Sequence, residues 1–294
     1  MMKNQILFLI FCFSLFFYGC KKQVDKFKPD FSSPIKYNNY NLVWNDEFND
    51  SGSPDALKWD YEHGFVRNKE LQWYQKDNAN CKEGVLLIEA KREVIKNNLY
   101  DSTSTNWRRN REFADYSSSC LITKEKHSWK YGRFEIRARI DSTKGSWPAI
   151  WTLGEHGKWP NNGEIDLMEF YIKNGSQSIL ANAATGGEEQ YSIKWDSEVI
   201  PLNYFLKKDS KWVEQFHIWR MDWHEEEIKL FLDNELLNTI SIDDEVNREG
   251  VVPFKQKHYL LLNLAIGSNG GNPLNSNFPI TYEIDYVRIY QKTN

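Results

Sequence analysis

Residues 131–140 alternate without a break: Phe134, Ile136, Ala138 and Ile140 are apolar, while Arg133, Glu135, Arg137 and Arg139 are charged. A strand turns successive side chains to opposite faces, so this stretch predicts a strand with one buried side. Val85-Leu86-Leu87-Ile88-Glu89-Ala90 follows the turn pair Glu83-Gly84. Residues 228–232 and 235–237 flank Asp233-Asn234, a hairpin signal. Residues 258–266 predict a long apolar strand, and residues 280–290 a closing one. No long apolar stripe of period 3.6 and no internal repeat occur. Many short strands without helices between them predict an all-β sandwich.

One strand carries candidate chemistry. In Gly163-Glu164-Ile165-Asp166-Leu167-Met168-Glu169-Phe170, three carboxylates fall within six residues. Glu164 and Asp166 share a face of a strand, and Glu169 falls on the other unless one extra residue intervenes. A β-bulge at Leu167-Met168 brings all three acids onto one surface. On a helix, Glu164 and Glu169 would lie about 140° apart and could not cooperate. Trp159-Pro160 before the run and Gly175 after it favour a short strand. Like charges at close range raise one pKa, which separates a carboxylate nucleophile from a protonated acid, the pairing used in glycoside hydrolysis. A solvated acidic edge strand is the other reading of this spacing taken alone.

The GEIDLMEF stretch resembles the catalytic signature of glycoside hydrolase family 16 in its bulged, laminarinase-type form. The resemblance extends over residues 40–291. It includes Trp44-Asn45-Asp46-Glu47-Phe48, Asn68-Lys69-Glu70 with Tyr74, Tyr131-Gly132-Arg133-Phe134-Glu135, Gly145-Ser146-Trp147-Pro148-Ala149-Ile150-Trp151, Phe216-His217-Ile218-Trp219, Leu262-Asn263-Leu264-Ala265 and Asp285-Tyr286-Val287-Arg288. It implies a jelly roll of two curved antiparallel sheets with a substrate cleft on the concave face. It implies a retaining endo-β-glycanase with Glu164 as nucleophile, Glu169 as general acid/base and Asp166 as the assisting carboxylate. Asn68 and Glu70 resemble the segment that binds sugar hydroxyls. Trp147 and Trp151 resemble cleft tryptophans, and Trp159 is a further stacking candidate. Trp147 and Trp151 sit four apart and so share a strand face.

Two parts depart from or extend the pattern. Where a Thr-Ile-His-like stretch is usual, residues 179–187 read Ile-Leu-Ala-Asn-Ala-Ala-Thr-Gly-Gly, with Asn182 at the histidine's place. Asn182 is a further substrate-binding candidate, since an amide keeps a hydrogen bond, although it does not titrate near neutral pH. Residues 100–116, with Trp107-Arg108-Arg109-Asn110-Arg111 in the middle, form an enlarged loop expected to wall the cleft or attract anionic substituents; a solvated loop is the plainer reading. The first substrate expectation is a β-1,3-glucan or mixed-linkage glucan, and the second is a β-1,4-galactoside such as a mucin O-glycan. A catalytically silent sugar-binding lipoprotein is the competing class, and the complete set of three acids argues against it. The family also implies a structural Ca2+, with Glu47, Gly84 and Asp285 at the ligand positions. Catalysis through carboxylates requires no metal.

The remaining features concern the surroundings. Of 294 residues, 15% are aromatic, with 12 Trp and 15 Tyr, which suits both β cores and sugar stacking. A net charge of −4 gives no basic face for nucleic acid. Residues 1–19 read as a signal peptide: Lys3, then an apolar run too short for a membrane span of about 20 residues. Phe17-Tyr18-Gly19-Cys20 resembles a bacterial lipobox, so Cys20 is the expected lipidation site. Residues 20–38 read as a polar tether, and residues 39–294 as one catalytic domain on the bacterial cell envelope. A monomer is expected. Cys81 and Cys120 read as two buried thiols in preference to a disulfide.

Overall fold

The computed structural model describes residues 24–293, apart from 188, 190, 191, 244 and 245. The predicted leader and Cys20 lie outside the described residues. Two sheets face each other. The front sheet has seven strands in the order Ile193–Pro201, Ser176–Gly186, Glu164–Lys173, Ser146–Gly154, His258–Ile266, Cys120–Ile122 and Asp60–Tyr61. The rear sheet has ten. Its path runs Glu235–Ser241, Glu227–Leu232, His217–Trp223, Gly132–Arg139, Ile280–Lys292, Val85–Lys96, Phe113–Ser118 and Gln72–Tyr74, with Tyr40–Asp46 and Ala79–Lys82 paired at its side. Pairing is antiparallel except between Gln72–Tyr74 and Phe113–Ser118, which run parallel and modify the all-antiparallel expectation. The one α-helix among the described residues, Leu202–Lys208, is short.

The alternation predicted for residues 131–140 builds the core as expected: Phe134, Ile136 and Ala138 are fully buried between the sheets. Leu86, Ile88, Ile284, Val287 and Ile289 join them from the rear sheet, and Ile150, Ile165, Met168, Leu260, Leu262 and Leu264 from the front. Cys81 and Cys120 are free and buried.

The outer face of the rear sheet differs from expectation. Glu135 and Arg137 alternate with the core residues yet are only 3% exposed. The cause lies upstream: the described part of the predicted tether is laid along this face. Arg137 donates from Nη2 to the Asp25 carbonyl at 2.9 Å and from Nη1 to the Lys28 carbonyl at 3.0 Å. The Phe216 amide donates to the Lys26 carbonyl at 2.7 Å. The Asp30 amide donates to Asp285, Arg288 to the Ser32 carbonyl, and the Tyr37 hydroxyl to Glu135 at 2.5 Å. Backbone carbonyls satisfy buried guanidinium groups that would otherwise carry a large desolvation cost.

Candidate active site

The bulge required by the acid spacing is present. Asp166 pairs with Trp151 and Met168 with Ile150, so Leu167 is the extra residue against the strand Ser146–Gly154. The register on Ser176–Gly186 shifts between Asp166 and Glu169 as well. Leu167 and Met168 both turn into the core. Glu164, Asp166 and Glu169 therefore emerge together on the outer face of the front sheet, where they line a cavity of about 520 Å3.

Each outer acid is held by indole N–H groups. Trp159 Nε1 donates to Glu164 Oε2 at 2.7 Å. Trp147 Nε1 donates to Glu169 Oε1 at 3.0 Å, and Asn182 Nδ2 donates to Glu169 Oε2 at 3.1 Å. Burial pushes the Glu164 carboxyl up to about 6, against the Trp159 hydrogen bond and the Arg67 charge. Burial and then the Glu164 charge push Glu169 up to about 7, with the Trp147 and Asn182 hydrogen bonds working the other way. Asp166, buried between the two, is pushed well above the carboxylate range by desolvation and then by its neighbours' charges. Its Oδ2 is buried without a hydrogen-bond partner, a place where a proton can reside.

The other predicted residues divide. Asn68, Glu70, Trp147, Trp151 and Trp159 line the same cavity. Trp147 and Trp151 are each only 7% exposed, so they form its floor and show little ring face. Trp151 donates to Asn263 Oδ1 at 2.7 Å, and the Arg67 guanidinium lies 4.9 Å from its ring centroid. Trp159 is 48% exposed and free to stack. Glu70 is buried and accepts from Gln72, Asn68 and Tyr74, which fix it as the centre of a polar cluster. Asn182, expected to bind substrate, is 2% exposed and spends its amide on Glu169.

Several lining residues were not singled out as site residues. Trp195 is 46% exposed on the edge strand, in register with Ala184 and through it with Glu164. Asn263 is a polar residue inside the apolar run 258–266, and that misfit was its sequence signal. Tyr171 and Asn269 also line the cavity. Of the three loop arginines, Arg108 lines the cavity and bonds the Val66 carbonyl. Arg109 faces Asp101, and Arg111 bonds the Glu70 carbonyl.

The implied calcium ligands do not fit that ion. Asp285 is taken by Arg137 at 2.5 Å and by the Asp30 amide. Glu47 accepts both Nε and Nη2 of Arg288. The Phe31 ring lies against Gly84. A divalent cation needs anionic oxygens left free to coordinate it, and here two arginines occupy them.

Comparison with known proteins agrees with the geometry. A beta-glucanase of Rhodothermus marinus is 36% identical over 276 residues, covering 86% of this chain and 85% of the relative. The laminarinase catalytic domain of Thermotoga maritima superposes with a TM-score of 0.69 at 31% identity, covering 87% of this chain and all of that one. A structure from work on endo-acting O-glycanases of human gut microbiota that initiate mucin breakdown superposes with a TM-score of 0.79 at 30% identity, covering 89% and 94%. The sequence model described as Glycosyl hydrolases family 16 matches residues 68–288, and with the carboxylate row on its bulged strand this chain belongs to that family and is a glycosidase.

Proposed function

We propose that this chain is a retaining endo-β-glycanase in which Glu164 is the nucleophile, Glu169 the general acid/base and Asp166 the assisting acid. The observation that carries this reading is the row of three acids on one bulged strand, its outer two held by separate indole donors. In the first step the Glu164 carboxylate attacks the anomeric carbon while Glu169 protonates the departing oxygen. A covalent glycosyl ester forms. In the second step Glu169 takes a proton from water, and that water displaces Glu164. A protonated Asp166 supports the Glu164 carboxylate by hydrogen bonding to it and adds no third charge.

A β-1,3-glucan or mixed-linkage glucan is the first substrate class, by kinship with the glucanases. A β-1,4-galactoside such as a mucin O-glycan is the second, favoured by the closer superposition on the O-glycanase-associated structure and by Asn182 at the usual histidine place. The test is product analysis on laminarin, mixed-linkage glucan, agarose-type galactan and mucin O-glycans, with Glu164→Gln as control. Glucose oligomers from laminarin support the first class; galactose-terminated products from mucin with laminarin intact support the second. No product from any of them refutes the enzyme reading. The chain is further proposed to be lipidated at Cys20 and held on a bacterial envelope, on the strength of the residues 1–20 pattern.

A further inference from the structure

The segment on the rear sheet carries a patch used neither by the core nor by the cleft. Six of the eighteen large hydrophobic side chains left exposed among the described residues fall within residues 24–43: Val24, Phe27, Phe31, Ile35, Leu42 and Val43. Exposed Lys26, Lys28 and Lys36 lie among them, Lys28 at 3.9 Å from Asp25. Apolar side chains interspersed with lysines suit the boundary between acyl chains and anionic headgroups. The segment cannot swing freely, since Arg137 and Arg288 hold its carbonyls from Asp25 to Ser32. Its place is the outer face of the rear sheet, whereas the three acids emerge from the outer face of the front sheet. The core separates the two.

We infer that this rear patch docks on the surface of a lipid bilayer, with the cleft directed away from the membrane toward its polymeric substrate. The inference rests on lipidation of Cys20. Five residues join Cys20 to the clamped Asp25 carbonyl, a leash of at most about 18 Å. A lipid at that point brings residues 24–43 to the headgroups and leaves the opposite face outermost. A leash so short does not let the domain turn its cleft to the bilayer without releasing the segment from Arg137.

The full chain, expressed as a lipoprotein and reconstituted in phosphatidylethanolamine–phosphatidylglycerol vesicles, tests this. Intact mass reports the lipid. A fluorophore is attached in Lys36→Cys, beside the rear patch, or in Lys194→Cys, beside the cleft; the buried Cys81 and Cys120 stay unlabelled. A headgroup-bound quencher should dim the label at position 36 severalfold more than that at 194. A long Gly/Ser insertion after Lys22, or Phe27→Ser with Phe31→Ser, should lower quenching at position 36 without changing activity on a soluble substrate. Equal or reversed quenching in lipidated protein overturns the docking and leaves the anchor intact. Absence of lipid mass overturns the anchor and the docking with it. Cross-linking of position 36 between two copies assigns the patch to self-association and likewise overturns the inference.

Discussion

Asn182→Ala removes one of the two donors on Glu169 and leaves the other, Trp147, in place. Hydrogen bonds to the ionised form favour it, so losing one raises the pKa of Glu169. A bond to a charged group contributes about 1.5–3 kcal/mol, and a 3.1 Å bond from a neutral amide belongs at the low end. At about 1.4 kcal/mol per unit this moves Glu169 up by about one unit, from about 7. Glu169 must be protonated to release the leaving sugar, so its ionisation ends activity on the alkaline side. The alkaline limb of kcat/KM should therefore move up by about one pH unit. Asn182 Oδ1 is buried without a partner and goes with the substitution, while Glu169 Oε2 loses its amide donor but lines the cleft, where water can replace it, so the variant should stay folded. The assay is kcat/KM against pH from 4 to 10 on whichever member of the substrate panel yields products, with circular dichroism as a fold check. An alkaline limb that stays put, or moves down, refutes the reading that Asn182 tunes Glu169. Asn182→His, which restores a donor, should return the limb toward its original place.

Trp159→Phe keeps an aromatic face but removes the donor to Glu164 Oε2, so the acid limb of kcat/KM should rise above its origin near 6; an unmoved limb separates Trp159 from the nucleophile. Glu169→Gln should abolish hydrolysis and raise Tm. A carboxylate whose folded pKa exceeds its unfolded value destabilises the fold as pH rises from about 4.5 toward 7, so the Tm gain should be greater at pH 8 than at pH 5. An equal gain at both pH values would refute a charge origin. EDTA or added Ca2+ should leave Tm unchanged, whereas Arg137→Met should lower it. Stripping one partner from a buried pair costs about 3–5 kcal/mol, and Arg137 and Asp285 are 3% and 2% exposed. A Tm rise with Ca2+ would return Asp285 to a metal. His258, fully buried between Thr152 and the Pro253 carbonyl, is pulled by burial to about 4. Its depressed value means stability present above pH 6.5 is lost as pH falls toward 4; His258→Gln should flatten that part of the Tm–pH curve.

Much of this protein is written in short-range pattern. Strict alternation over residues 131–140 and the apolar run 258–266 determined two core strands, because a strand's period of two is local. The acid spacing alone demanded a bulge at Leu167-Met168, since side-chain parity admits no other way to gather three carboxylates on one face. The tertiary structure decided what depends on distant partners. Asn182 meets Glu169 only through the pairing of two strands, which turns a supposed substrate ligand into a support for the acid. Trp151 loses a ring face to Arg67, and Trp195 reaches the cleft from the far edge strand. On the rear face, Arg137 meets Asp285 across 148 residues and Arg288 meets Glu47 across 241. Local periodicity carries no information on such pairs. Only the closed sandwich, with residues 25–37 laid over it, shows that arginines hold the carboxylates the resemblance assigned to calcium, and that the described part of the tether is part of the domain.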